Sequence, residues 1–295
     1  MGAAAECKDL PSFSEFLGFA PQRLYFLIGN PKRLYKRIEL DKRSSGKRQI
    51  DIPSRELKGV QRTILRRIIE QFSPTEMAFA YVKGRSAIAA ARRLCGRQNV
   101  FRVDLKDFFP SIDERRVYGL FRKEGFNEKV AFFLTRLTTV NGVLPQGAPT
   151  SPHISNLICR SMDLRLNKLS ERWRISYLRY SDDLFFYSPS NFNPLKFLRR
   201  VENIVRENGF RLGSKKTRYF PKGVPRTTLG LLTHGKTPRL PGKQRKIYRF
   251  VFFKAARNPN WGEENFSQLS GMLEYFKAVY GVNDRYQEYR KVLVS

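Results

Sequence analysis

The stretch Leu178–Tyr187 carries two adjacent carboxylates, Asp182 and Asp183, with apolar and aromatic residues on both sides. This pattern predicts a β-hairpin with both acids at its tip. A third acid, Asp104, follows the strand-like run 100–103, which predicts that it also lies at the end of a strand. The alternative interpretation of the pair is a structural turn, because Asp tolerates left-handed backbone and bonds to nearby amides.

Three carboxylates at neighbouring strand ends would repel one another unless a cation neutralised them. Mg²⁺ binds a few carboxylate oxygens and keeps positions for substrate phosphates. Two such ions roughly 3.5 to 4 Å apart activate an attacking oxygen and stabilise a leaving one during displacement at phosphorus. We therefore expect Asp104 and Asp182 to bind two Mg²⁺ ions, for which Mn²⁺ would substitute, and Asp183 to complete this catalytic cluster.

The charge of the chain points to a polyanionic partner. Its 295 residues include 56 Lys and Arg against 26 Asp and Glu, a net charge of +30 that is spread along the whole length. This distribution indicates a continuous surface for nucleic acid, whose affinity should fall steeply with salt. An anionic membrane is the competing explanation, but there is no apolar run of membrane-spanning length and no secretory leader. We expect a soluble intracellular protein with no membrane partner.

Cysteine and histidine chemistry is not indicated. The three cysteines lack the paired spacing of a zinc site or a disulfide framework, and the two histidines are far apart. We expect the cysteines to be buried apolar residues.

Two basic segments in the first part of the chain are candidate phosphate contacts. Arg48 follows the Ser-Ser-Gly turn at 44–46 on a predicted basic hairpin, and a guanidinium there would make bidentate contacts to a triphosphate. Apolar residues at helical spacing over 60–72 predict a helix whose other face carries Arg62 and Arg66. Both segments could instead be solvated charged surfaces.

The last part of the chain, from about residue 238, predicts a helical segment. Ile247, Phe250 and Val251 form an apolar stripe that we expect to face the core. The cations expected on the opposite face are Arg245, Lys246 and Arg249. Such a face suits an A-form-like helix, in which shape, phosphates and 2′-hydroxyls are contacted.

A Gly- and Pro-rich loop around Gln146 leads into an amphipathic helix. Ser151 is expected to be its N-cap and Pro152 its first helical residue. The amides of a helix N-terminus favour negative charge, so Gln146 is placed to contact a nucleotide. Ser155 and Asn156 could face the same cleft or pack between helices.

Phe109 follows Asp104 by five positions. A rigid ring there could lie beneath the sugar of a bound nucleotide and exclude a 2′-hydroxyl. Ordinary packing is the alternative, because the chain has 24 Phe.

Together these segments resemble the reverse transcriptases of bacteria, in particular those of retrons and of related defence-associated and group II intron lineages. The matching motifs cover most of the chain and occur in the family's order. They are Lys47-Arg48 before Ile52-Pro53, the block Phe101–Ile112, the loop Leu144–Pro152 with Ser155-Asn156, Tyr180–Asp183, Gly209–Leu212 and Lys215–Arg218.

The resemblance implies an α+β fold of the right-hand polymerase type, with fingers, an antiparallel palm sheet with packed helices, and a helical thumb. The expected divisions are 1–99 for the N-terminal segment and fingers with part of the palm, 100–237 for the palm with inserted finger elements, and 238–295 for the thumb. It also implies that Asp104 and Asp182 are the essential metal ligands.

The resemblance further implies a dNTP pocket lined by Arg48, Phe109 and Gln146. Lys216 is implied to help protonate the pyrophosphate leaving group.

The implied activity is RNA-directed DNA synthesis, in which a nucleotidyltransferase adds dNTPs to a primer hydroxyl. The implied partners are a structured non-coding RNA template, the DNA product or RNA–DNA hybrid, dNTPs and an effector protein, in anti-phage defence in the bacterial cytoplasm. Two alternatives stay open: a defence enzyme that makes repetitive or untemplated DNA, and a polymerase-like RNA-binding scaffold that recruits an effector.

Two segments depart from the usual retron pattern. Retron enzymes commonly carry Asn-Ala-x-x-His where this chain has Ala90–Leu94, and Val-Thr-Gly where it has Thr228-Leu229-Gly230. Both elements are associated with the cognate RNA. Priming from an internal 2′-hydroxyl therefore stays open, as do the template, the effector and the oligomeric state.

Overall fold

The computed structural model describes residues 6–41, 47–190 and 192–294, and within 214–216 the backbone alone. The chain forms two compact units, each built from several segments. The first unit consists of Met1–Lys83, Arg102–Phe185 and Asn193–Thr217, and the second of Gly84–Phe101, Phe186–Phe192 and Arg218–Ser295. The division into fingers, palm and thumb stays a prediction.

Runs of helices are separated by one to three strands along the chain, which agrees with the predicted α+β class. The helices are α1 (Leu10–Leu17), α2 (Pro21–Gly29), α3 (Arg55–Arg67), α4 (Ala87–Leu94), α5 (Glu114–Lys123), α6 (Glu128–Thr138), α7 (Ser151–Ile158), α8 (Arg160–Arg172), α9 (Pro194–Glu207), α10 (Gly242–Arg257), α11 (Pro259–Glu264), α12 (Phe266–Tyr280) and α13 (Asp284–Val294). The strands are β1 (Tyr35–Asp41), β2 (Lys47–Pro53), β3 (Asn99–Leu105), β4 (Ser176–Tyr180), β5 (Asp183–Ser188), β6 (Leu212–Phe220), β7 (Thr227–Thr228) and β8 (Leu231–Leu232). None of the described helices combines the length and apolarity that crossing a membrane requires.

The strands form three sheets. The largest has the order β4-β5-β3-β6, and its inner strand β3 is buried along its length except at the half-buried Arg102. Continuous burial is expected of a strand that is covered on both faces. β1 and β2 form a separate antiparallel hairpin that pairs Tyr35 with Pro53 and Asp41 with Lys47, as predicted. The Ser-Ser-Gly turn predicted between them lies outside the described residues.

Helix α3 illustrates how the first unit forms. The Ser54 side chain accepts a hydrogen bond from the N–H of Leu57 at 3.2 Å, and a cap of this kind is typically worth about 1 kcal/mol. Val60 and Ile64 then recur at helical spacing and are fully buried. The helix ends at Arg67, earlier than predicted. The last apolar positions of the pattern lie beyond it, in and around a short 3₁₀ turn.

Helix α10 in the second unit turns a different face inward than predicted. The expectation is wrong for Ile247 and Phe250, which are 46% and 66% exposed, whereas Val251 is half-buried against the core of this unit. Tyr248 and Phe252 are buried instead, and the ring of Phe252 stacks on that of Tyr289 with centroids 4.2 Å apart. Stacking of these rings on a second aromatic layer accounts for the face that is buried.

The start of α7 also differs by one residue from the prediction. Thr150 occupies the N-cap position with helical backbone angles, so Ser151 and Pro152 are the first two helical residues. Within the described part of the chain, no side chain caps this helix. Helix α4 does have a side-chain cap, because Ser86 accepts from the N–H of Ala89 at 3.1 Å.

Candidate active site

The predicted hairpin around the paired aspartates is confirmed. Only Ser181 and Asp182 join β4 to β5, and Asp183 is the first residue of β5. Ser181 has a φ of 58°, in the left-handed region that two-residue hairpin turns require. The hydroxyls of Ser181 and Tyr81 are 3.3 Å apart. The backbone is therefore held in one conformation directly before the acids.

Asp104 lies beside this turn. Its strand β3 is the neighbour of β5 in the sheet, and the N–H of Leu105 donates to the carbonyl oxygen of Asp182 at 2.9 Å. The Asp104 residue is 6% exposed. The structure thus brings together two acids that are far apart in the sequence.

Asp183 is paired with a cation. Arg102 donates from Nε and Nη2 to its two carboxylate oxygens, each at 2.9 Å, in bidentate geometry. Burial raises the pKa of Asp183, Arg102 lowers it, and the charges of Asp182 and Asp104 raise it again, to a net value of about 6. Negative charge at this cluster is therefore only partly compensated, and a bound cation would stabilise it.

Strand β6 approaches Asp104 closely. A β-carbon at Gly213 would stand 2.8 Å from Oδ2 of Asp104 and 3.4 Å from its backbone oxygen. The N–H of Lys106 donates to the carbonyl oxygen of Arg211 at 2.8 Å, which holds the two strands together at this end. Glycine at 213 therefore leaves room for the carboxylate.

The donors available to a metal are carboxylate oxygens. Among the described residues, no group of three or more His, Cys, Asp or Glu is arranged to hold an ion, and the three cysteines are buried and free, as predicted. Both oxygens of Asp183 accept from Arg102. The carboxylates of Asp104 and Asp182 are of the type that Mg²⁺ takes, typically one or two together with substrate phosphates.

The loop of Gln146 packs against the β1–β2 hairpin. The N–H of Asp51 donates to the carbonyl oxygen of Gln146 at 2.9 Å. At Gly147, with φ 137°, a β-carbon would stand 2.6 Å from the backbone oxygen of Asp51. Arg48 lies on the same strand as Asp51 with an exposed side chain. The structure therefore places the Gln146 loop against the strand of Arg48.

Phe109 belongs to an aromatic cluster. Its half-buried ring lies with its centroid 5.3 Å from that of buried Phe108, which stacks on Phe210 at 5.7 Å. Arg116 covers the ring of Phe210, with its guanidinium carbon 4.2 Å from the centroid. Packing against this cluster restricts the ring of Phe109.

The other predicted site residues are Lys216 and the cations of α3 and α10. Lys216 belongs to strand β6, but its side chain is outside the described part of the structure. Arg62 and Arg66 are exposed on α3. Arg245, Lys246 and Arg249 are exposed on α10.

Ser155 and Asn156 are packing residues. The Asn156 side chain is buried, donates to the carbonyl oxygen of Ala80 at 2.8 Å and accepts from Nη1 of Arg179 at 2.9 Å. The Ser155 hydroxyl donates to the carbonyl oxygen of Pro152 at 2.7 Å. Both residues are buried, so of the two interpretations left open packing is the one observed, against a loop and a strand in the case of Asn156.

Sequence reasoning missed Arg102 and Gly213. Alternation along a strand places Arg102 on the same face as Asp104, which is a signal that could have identified it. Nothing local marks Gly213, because its role depends on the pairing of β6 with β3.

Comparison with known proteins identifies the family of this chain. The profile of the reverse transcriptase (RNA-dependent DNA polymerase) family matches residues 40–233. The chain therefore belongs to the reverse transcriptase family.

Within that family the chain is similar to retron enzymes. It is 33% identical over 270 residues to the retron Mx162 reverse transcriptase of Myxococcus xanthus, covering 80% of this chain and 56% of the relative. The retron Ec86 reverse transcriptase of Escherichia coli is 32% identical over 211 residues, with 71% of this chain and 66% of the relative covered. The chain thus spans between about half and two thirds of the length of these relatives.

A solved structure supports the fold. Telomerase from Candida albicans, solved with a TWJ fragment of telomeric RNA, superimposes with a TM-score of 0.51 at 10% identity. The match covers 96% of this chain and 60% of telomerase.

Proposed function

We propose that this protein is an RNA-directed DNA polymerase that adds dNTPs to a primer hydroxyl on an RNA template. The observation that carries the proposal is the convergence of Asp104 and Asp182, linked through the bond from the Leu105 N–H to the Asp182 carbonyl oxygen. Membership of the reverse transcriptase family supports it.

Asp104 and Asp182 would hold two Mg²⁺ ions, with Mn²⁺ as a substitute. When bound, the ions would activate the attacking hydroxyl and neutralise the leaving pyrophosphate. Gly213 supports this assignment, because it leaves space at the Asp104 carboxylate. Asp183, which is hydrogen-bonded to Arg102, would adjust the negative charge of the site.

The nucleotide would be positioned by residues around the acids. Arg48 would contact the triphosphate through its guanidinium, and Gln146 would contact the incoming nucleotide. Phe109 would lie beneath the sugar, and Lys216 would donate a proton to the pyrophosphate. Positioning and charge neutralisation account for most of the rate of phosphoryl transfer.

The template would be a structured non-coding RNA, as in a retron, and the wider role would be anti-phage defence with an effector protein. The similarity to retron reverse transcriptases supports this part of the proposal. The net charge of +30 suits such a partner. The exposed cations proposed to contact the RNA or the hybrid are Arg62, Arg66, Arg245, Lys246 and Arg249.

Primer extension on an RNA template with Mg²⁺ tests the proposal. The wild-type protein should synthesise DNA, and Asp182→Asn should abolish synthesis while retaining RNA binding. Asp284→Asn, which removes an exposed carboxylate from α13, is the matched control and should remain active. An active Asp182→Asn variant would refute the assignment, and sequencing the product would separate templated from untemplated synthesis.

A further inference from the structure

A fully buried ion pair lies behind the hairpin of the paired aspartates. Arg179, in β4, donates from Nε to Oδ1 and from Nη2 to Oδ2 of Asp163, in α8, both at 2.8 Å. Both side chains are 0% exposed. Removing two charges from water is costly, and apolar pairs of similar volume are often as stable, so stability alone is a weak reason for this pair.

The Asp163 carboxylate accepts four hydrogen bonds. Besides the two bonds from Arg179, Oδ1 accepts from the Tyr177 hydroxyl at 2.9 Å and Oδ2 accepts from the Thr75 hydroxyl at 2.8 Å. Four hydrogen bonds, from Arg179 and Tyr177 of β4 and from Thr75, therefore fix the orientation of this carboxylate. A carboxylate held in this way in turn fixes the guanidinium that it faces.

The third nitrogen of the guanidinium reaches toward the catalytic turn. Nη1 of Arg179 donates to the side-chain oxygen of Asn156 at 2.9 Å and to the carbonyl oxygen of Ser181 at 3.3 Å. That carbonyl belongs to the peptide bond that joins Ser181 to Asp182. The ion pair is thus one residue away, through a single backbone group, from a proposed metal ligand.

The main chain of Arg179 is held as well. Its N–H donates to the carbonyl oxygen of Met77 at 2.7 Å, and its own carbonyl oxygen accepts from the N–H of Phe79 at 2.8 Å. Ser181 adopts a left-handed φ of 58°, which a residue with a side chain keeps only when its surroundings hold it. The bond from Nη1 to the Ser181 carbonyl is one of those constraints.

We propose that Arg179 and Asp163 are positioning residues for Asp182. By holding the Ser181–Asp182 peptide in one orientation, the pair sets the direction of the Asp182 carboxylate toward Asp104. The inference rests on the proposed polymerase function. It predicts that the pair affects metal binding and turnover and leaves the affinity for RNA unchanged.

The test replaces the pair by apolar residues of similar volume, Arg179→Met with Asp163→Leu. This double variant removes both buried charges together, so that neither is left unpaired. Partners that orient metal ligands typically contribute 10- to 100-fold to metal affinity or activity. We expect Mn²⁺ binding, measured by electron paramagnetic resonance without substrate, to weaken about 10-fold, and kcat for primer extension to fall at least about 10-fold.

Tyr177→Phe is the matched control, because it removes one hydrogen bond from the same carboxylate and keeps the contact with Ser181. It should retain wild-type Mn²⁺ affinity and kcat. Single variants that leave one charge buried and unpaired are strongly destabilised, so circular dichroism is recorded for each variant and Arg179→Lys is included. Lys keeps the positive charge but lacks the planar guanidinium. We therefore expect the Arg179→Lys variant to bind Mn²⁺ more weakly than the wild type does.

The inference is overturned if the folded double variant binds Mn²⁺ and extends primers as the wild type does. If the double variant does not fold, Arg179→Lys decides, and wild-type Mn²⁺ affinity in that variant overturns the inference. Failure of the proposed function gives a different result, because the wild-type protein would then make no DNA while the effect on Mn²⁺ binding could still be measured.

Discussion

Gly213 lies so close to Asp104 that a β-carbon at position 213 would stand 2.8 Å from the carboxylate oxygen Oδ2. Real β-carbons do not approach other atoms this closely, so any side chain at 213 must displace Asp104 or separate β6 from β3. The position of a proposed metal ligand thus depends on the absence of a side chain on the neighbouring strand.

Gly213→Ala is expected to lower kcat for primer extension about 100-fold, because a displacement near 1 Å in a reacting site costs about that much. Steady-state extension with excess primer and template measures this. Gly119→Ala in α5 is the control, since its β-carbon would meet no atom within 4 Å, and it should leave kcat unchanged. Wild-type kcat for Gly213→Ala would contradict the assignment of Asp104.

Asp183 should make stability depend on pH in metal-free buffer. Its pKa is raised from 3.8 to about 6, so the native state holds a proton that the unfolded state has already released over that range. Ionisation of Asp183 therefore lowers the free energy of unfolding as pH rises from about 4 to about 6, by about 3 kcal/mol at most. In the Asp183→Asn variant, this fall in the free energy of unfolding should be absent.

Urea unfolding in EDTA at pH 4, 5, 6 and 7 measures the effect. The free energy of unfolding of Asp183→Asn, minus that of the wild type, should increase as pH rises. Glu263→Gln, at an exposed carboxylate, should show no such trend. Parallel curves for Asp183→Asn and wild type would show that Asp183 is not the group responsible.

Arg102→Met should shift the pH dependence of activity. Arg102 lowers the pKa of Asp183 against the opposing effects of burial and the neighbouring acids, so its loss raises that pKa further. The acid limb of the kcat profile should then move to higher pH. Extension rates between pH 5.5 and 9 measure this, with exposed Arg199→Met as the control. An unmoved acid limb would mean that ionisation of Asp183 does not limit the rate.

Phe109→Ala should increase the incorporation of ribonucleotides. The ring is braced by Phe108, and through it by Phe210, so its removal opens space that these neighbours cannot fill without repacking. The ratio of kcat/KM for dNTP to that for the matching rNTP measures the change, and a fall of at least about 10-fold is expected for loss of one steric contact. Unchanged sugar discrimination would leave Phe109 as a packing residue.

Removal of three cations from α10 should weaken RNA binding and its salt dependence. The triple variant Arg245→Gln, Lys246→Gln, Arg249→Gln should reduce the slope of log K against log salt by about 2 to 3, because each phosphate contact contributes 0.7 to 0.9. Filter binding at several salt concentrations measures the slope. The control removes the same charge from exposed positions of α9, with Lys196→Gln, Arg199→Gln and Arg200→Gln. Equal loss in both variants would indicate a general charge effect.

Helix faces show where sequence periodicity is a reliable guide. In α3 the apolar positions Val60 and Ile64 are buried, as their spacing predicts. In α10 the same reasoning selects Ile247 and Phe250, which are exposed, because the partner layer around Tyr289 offers aromatic stacking to Phe252. Periodicity identifies a helix, but which of two apolar faces is buried depends on what lies opposite.

The sequence by itself determined the acids and the hairpin that carries two of them. These features are local: alternation, turn residues and adjacent charges act over a few positions. It also marked Gln146 and Arg48 as separate motifs.

Only the tertiary structure decided how these motifs meet. The pairing of β3 with β5 and β6 brings Asp104 beside Asp182 and places Gly213 against Asp104. Burial raises the pKa of Asp183, and the bidentate contact with Arg102 lowers it. The burial of Arg179 with Asp163 likewise joins a helix to a strand. Such contacts depend on strand order and on which charges lose their water, and neither is encoded in the spacing of neighbouring residues.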